Sequence, residues 1–107
     1  MVPPAAYSAA VPARFEVSGA AALEEVGKFV ELGPRDAGTP GAKRAAEYLL
    51  ARLKEIGLEA EIQEFREASP TGETTFRNVL GRIPGTSGNM ILFGSHYDTK
   101  AGIAGFA

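Results

Sequence analysis

Residues 90–93, Met90-Ile91-Leu92-Phe93, form an unbroken apolar run between the turn-rich stretch Pro84–Asn89 and the small pair Gly94-Ser95. A strand with one face in water alternates apolar and polar residues; a run without alternation suits a strand covered on both faces. The run therefore predicts an interior strand of an α/β sheet. Directly after it come His96, Tyr97 and Asp98. Side chains at i and i+2 of an extended segment point the same way, so His96 and Asp98 are expected to face one site together. In open α/β sheets such sites lie just beyond the carboxyl ends of strands.

The rest of the chain reads as the scaffold for that strand. Ser18 is positioned to cap a helix over residues 20–32, with Leu23, Val26, Phe29 and Val30 as its apolar stripe. Gly33 and Pro34 end it. In the loop that follows, Thr39 before Pro40 is an N-cap with proline at the first helical position. The second helix is expected over residues 40–56, with Ala42, Ala45, Ala46, Leu49, Leu53 and Ile56 on one face and Gly57 as its left-handed stop. Both helices read as amphipathic elements packed on a sheet, and the alanines predict close approach. A half-exposed strand is expected over residues 58–65, where Leu58, Ala60 and Ile62 alternate with Glu59, Glu61 and Gln63. The turn cluster of residues 69–73 leads to a second strand over residues 74–83, and the segment 84–88 turns into the third. The expected order is two helices then three strands, with antiparallel hairpin pairings. Residues 1–17 read as a flexible arm, and the apolar, Gly-rich tail of residues 101–107 reads as a sequence ending in mid-domain.

Composition narrows the function. The chain has 107 residues, the size of one domain or part of one. Eleven basic residues against 13 acidic ones give a net charge of −2, without the basic footprint of a nucleic-acid binder. There is no cysteine, which excludes a disulfide framework, a zinc ribbon and a thiol nucleophile. No stretch is long and apolar enough to span a bilayer, and the first residues lack the basic start and apolar core of a signal peptide. The compartment is left open.

The chemistry concentrates at His96, the single histidine. A neutral imidazole is a common metal ligand and a carboxylate often orients its other nitrogen; Asp98 can either do that or ligate directly. A structural zinc needs four protein ligands and a catalytic one about three plus water. One histidine, no cysteine and carboxylates mostly on exposed faces do not assemble such a site. Alternative chemistries fit less well. Ser95 lacks the Gly-x-Ser-x-Gly setting of a nucleophile elbow. The glycines of residues 81–88 lack the lysine and helix of a phosphate loop. Lys100 reads as an exposed loop lysine, and Tyr97 as a packing residue beside the site.

Three stretches together carry a family resemblance: residues 29–65, with Gly-Pro-Arg, Gly-Thr-Pro-Gly, an amphipathic helix and a strand; residues 76–85, FRNVLGRIPG; and residues 91–100, ILFGSHYDTK. In this order and spacing the chain resembles the N-terminal part of zinc-dependent exopeptidases of clan MH, the group that holds secreted aminopeptidases and, as a neighbouring branch, glutaminyl cyclases. The resemblance implies a mixed-sheet zinc-exopeptidase fold. It implies that His96 is a zinc ligand and Asp98 the residue that orients it. It further implies one or two zinc ions in an intact relative, and a peptide N-terminus as substrate. The family's bridging Asp, Glu-Glu pair, further Asp and distal His have no counterpart here, so the isolated chain is expected to bind zinc poorly and to lack peptidase activity.

The His-Tyr-Asp-Thr-Lys wording, with Lys100, is closer to the cyclase branch, in which the equivalent histidine need not be a ligand. In the aminopeptidase reading, zinc lowers the pKa of bound water to roughly 7 and a glutamate shuttles the proton. In the cyclase reading, the substrate's own amine attacks its glutamine side-chain amide. A non-catalytic α/β fragment is the third possibility, and an unpaired sheet edge would then invite self-association.

Overall fold

The computed structural model describes residues 16–102. The arm expected over residues 1–17 and the tail of residues 103–107 therefore lie almost wholly outside the described residues; within them, Val17 is exposed. The element order is α1 (Gly19–Val30), α2 (Pro40–Glu55), β1 (Glu59–Ser69) and β2 (Gly72–Arg82).

Local chemistry sets the helix boundaries. The Ser18 hydroxyl accepts from the Ala21 N–H and starts α1. The Thr39 hydroxyl accepts from the Ala42 N–H, with Pro40 following, and starts α2. Such caps satisfy N–H groups that the first helical turn leaves without partners. Arg52 and Lys54 lie in the last turn of α2, where basic groups suit the helix dipole. Gly57, at φ +90°, then reverses the chain into β1 in a conformation that glycine adopts without strain.

The strands β1 and β2 form a two-stranded antiparallel hairpin, with Glu59 opposite Arg82 at one end and Ser69 opposite Gly72 at the other. Pro70 and Thr71 are the intervening turn. Ile62 lies opposite Val79, and Phe65 opposite Phe76, their rings stacked at 5.5 Å. Because side chains alternate along a strand, the Phe65–Phe76 pair occupies the face opposite to Ile62 and Val79. The core is small and lies between α2 and the hairpin, where Ala42, Ala45 and Ala46 are buried. The close helix–sheet approach expected from these alanines is found: a Cβ built on Gly81 of β2 would stand 3.1 Å from Leu53 of α2.

Two expectations are corrected. The fold is α/β with two helices and two strands among the described residues, not three strands. Residues 90–93 form no ladder and are 82–90% exposed, the reverse of a strand covered on both faces. The physical reason is that an apolar run specifies a need for burial but supplies neither the neighbouring strands nor the helical layers that would meet it. Likewise α1 does not pack its stripe on the sheet. Leu23, Val26 and Val30 are exposed, and only Phe29 and Glu25 are partly covered. What ties α1 to α2 is a bidentate ion pair from Arg52 to Glu25 and the Phe29 ring against Tyr48 at 6.0 Å. The Arg52 hydrogen bond holds the Glu25 carboxyl below its ordinary pKa.

Candidate functional site

Residues 95–100 belong to no sheet among the described residues, yet their exposure alternates. Tyr97 and Thr99 turn inward, Thr99 to only 3% exposure, while His96, Asp98 and Lys100 face solvent. The expected juxtaposition of His96 and Asp98 is therefore present. His96 Nδ1 lies 3.2 Å from Asp98 Oδ1 and 3.2 Å from the Asp98 carbonyl oxygen. Both oxygens are acceptors, so in the neutral ring this geometry selects the Nδ1–H tautomer and leaves the lone pair on Nε2. The imidazole side chain is 83% exposed, so Nε2 is open to a ligand or substrate. The pair sits on a loop segment beside the hairpin, rather than at the end of a sheet strand.

What holds this segment is the loop between the helices. The backbone N–H of Arg35 donates to Thr99 Oγ1 at 2.9 Å, and the Thr99 N–H returns to the Arg35 carbonyl at 3.4 Å. The Thr99 hydroxyl in turn donates to the Asp36 carboxylate. Arg35 Nε donates to the Tyr97 carbonyl at 2.8 Å, and Nη1 to the Gly33 carbonyl at 2.9 Å. Its guanidinium lies over the Phe29 ring, 4.6 Å from the centroid. Arg35 and Thr99 are the buried polar residues of the described chain, and no buried side-chain polar atom there lacks a partner. Burial of such groups is tolerated only when they are bonded in this way.

Tyr97 anchors the segment on its other side. Its hydroxyl donates to the Arg77 carbonyl of β2 at 2.7 Å, and its ring meets Phe29 edge-on at 6.4 Å. Burial raises its pKa; the Asp98 charge adds to that effect and the Arg77 charge opposes it. Tyr97 is thus a packing residue. Ser95 is exposed and donates to the neighbouring His96 carbonyl, and Lys100 is exposed.

The contribution of Arg35, Asp36 and Thr99 was not assigned from sequence. Their contacts join residues more than 60 positions apart, which no local pattern reports. The available signal was an arginine inside a loop of glycines and prolines, where an ordinary surface arginine has little to cover.

A cleft of about 380 Å³ opens between residues 92–98 and the hairpin, with Phe65, Phe76 and Asn78 on one wall and Leu92, His96 and Asp98 on the other. Its lining combines the aromatic rings of Phe65 and Phe76 with the imidazole–carboxylate pair, the mix of apolar surface and a few polar groups usual in a small-molecule site. A zinc ion fits this donor set only in part. Nε2 offers one nitrogen, but among the described residues no group of three or more His, Cys, Asp or Glu side chains converges. A catalytic zinc takes about three protein ligands, so these residues do not form a zinc site by themselves.

No protein-family model matches the chain. It is similar to a glutaminyl-peptide cyclotransferase of Dictyostelium discoideum, 24% identical over 100 aligned positions that cover 73% of this chain and 28% of that protein. The chain thus spans little more than a quarter of that relative's length. The likeness agrees with the cyclase branch of the expected family; it gives no direct support to the aminopeptidase branch.

Proposed function

We propose that this chain contributes to an enzyme of the glutaminyl-peptide cyclotransferase type, acting on a peptide with an N-terminal glutamine. The observation that carries the reading is the His96–Asp98 pair, Nδ1 against the carboxylate and the ring exposed, in the lining of a cleft that also holds Phe65 and Phe76. The likeness to a cyclotransferase supports it.

In this reaction the substrate's α-amine attacks the carbonyl carbon of its own side-chain amide. A new N–C bond closes a five-membered lactam, the old C–N bond breaks and ammonia leaves. One proton must move from the attacking amine to the departing nitrogen. The Nε2 lone pair of His96 can take that proton and return it, the part an imidazole plays in general acid–base catalysis. Asp98 keeps the ring in the required tautomer and offsets the positive charge that forms on it. The rings of Phe65 and Phe76 would pack against the substrate side chain.

Zinc, implied by the family resemblance, would compete with the proton for the Nε2 lone pair, so in this reading a zinc ion would be held by other donors while His96 stays free. The aminopeptidase reading binds the same end of a peptide but would release a free amino acid. The test is incubation of the protein with a Gln-initiated peptide, followed by mass spectrometry and ammonia assay. Cyclised peptide from the wild type, lost in His96→Ala and strongly reduced in Asp98→Asn, is the expected result. Shortened peptide points instead to the aminopeptidase, and no product at all to a non-catalytic domain.

A further inference from the structure

We propose that Arg35 and Thr99 are positioning residues for the His96–Asp98 pair, a role that rests on the cyclotransferase reading for its catalytic meaning but not for its geometry. The residues of the pair stand at alternate positions of a segment with no sheet partner, so nothing in a β-ladder fixes where they point. The loop between α1 and α2 does so instead. Arg35 grips both neighbours of Asp98: its guanidinium binds the Tyr97 carbonyl, and its main chain exchanges hydrogen bonds with Thr99. With residues 97 and 99 held inward, 96 and 98 must face outward together.

Thr99 has a specific part. Its hydroxyl donates to Asp36, which directs an oxygen lone pair at the Arg35 N–H. One hydroxyl thus serves as donor and acceptor at once, and only serine can replace it. Arg35 is likewise not interchangeable with lysine, because Nε and Nη1 reach two different carbonyls, those of Tyr97 and Gly33.

The experiment uses the single histidine of the chain. Ring-¹⁵N NMR of selectively labelled protein, at a pH where the imidazole is neutral, reports which nitrogen holds the proton. The wild type is expected to be mainly Nδ1–H. An imidazole released from its partner reverts to the Nε2–H form that predominates in water. Thr99→Val and Arg35→Lys should invert the ratio, while Thr99→Ser should keep the wild-type pattern. Cross-strand contacts between Phe65 and Phe76 verify in each sample that the hairpin persists. Should Thr99→Val unfold, Asp36→Ala is the milder variant: it leaves Thr99 in place, frees its hydroxyl and should shift the ratio in the same direction.

Variants that keep the hairpin and retain Nδ1–H would overturn the positioning role while leaving the cyclotransferase reading intact. A wild type that is already Nε2–H would overturn the proton assignment on which that reading depends.

Discussion

Replacing Gly41 with alanine puts a methyl group where the loop carbonyl already stands. A Cβ built at this position lies 2.2 Å from the Pro34 oxygen, 3.3 Å from its carbonyl carbon and 3.6 Å from Arg35 Cα. An ordinary carbon–oxygen contact is more than 3 Å, so the overlap is about 1 Å. Every atom in the way is backbone, so no side-chain rotation relieves it. The loop must move off the start of α2, and that loop carries Arg35. Overpacking of this kind costs typically 1–3 kcal/mol. Against it stands the gain of alanine over glycine in a helix, up to about 1 kcal/mol and less in the first turn. The net expectation is a loss of about 1–2 kcal/mol.

Gly27 is the control, since it lies within α1 and a Cβ there meets nothing within 4 Å. Gly27→Ala should stabilise by about 0.5–1 kcal/mol. Urea unfolding followed by circular dichroism reads both variants, and amide exchange at Arg35 reads the loop directly. A Gly41→Ala protein as stable as the wild type, with Arg35 still protected, would refute the close approach and with it the loop geometry.

Thr39→Ala removes the cap of α2 and should lower stability by about 1 kcal/mol, read in the same urea titration. Stability should also fall at alkaline pH through Tyr97. Its folded pKa lies above the ordinary 10.0, so its contribution is whole below about pH 10 and is lost as pH rises through the folded value. Tyr97→Phe should flatten that alkaline loss in pH-dependent melts. Residues 90–93 leave four neighbouring apolar side chains in water, and the stretch from Ile83 to Ser95 carries no charge to oppose pairing. Sedimentation of the chain should therefore show concentration-dependent association that Leu92→Lys weakens; a monomer at all concentrations would contradict this.

The parts legible in the sequence are those decided by neighbours. Ser18 and Thr39 mark the helix starts because their hydroxyls act within three residues. Gly57 marks the stop of α2 through its own backbone, and the turn at Pro70 and Thr71 lies inside the cluster that predicts it. The His96–Asp98 contact was legible for the same reason, being an i, i+2 relation. Residues 90–93 and the stripe of α1 were not, because burial depends on what else is present to pack against. The grip of Arg35 and Asp36 on residues 97 and 99 was also illegible. It is a hydrogen-bond match between two loops, and hydrogen-bond partners distant in sequence leave no periodic trace.

The most direct measurement for the central claim is the fate of a Gln-initiated peptide incubated with the protein, wild type against His96→Ala. Lactam and ammonia formed in equal amounts by the wild type, and neither by the variant, is the predicted result. Equal cyclisation by both proteins would contradict the account, because the imidazole would then be idle in the chemistry assigned to it.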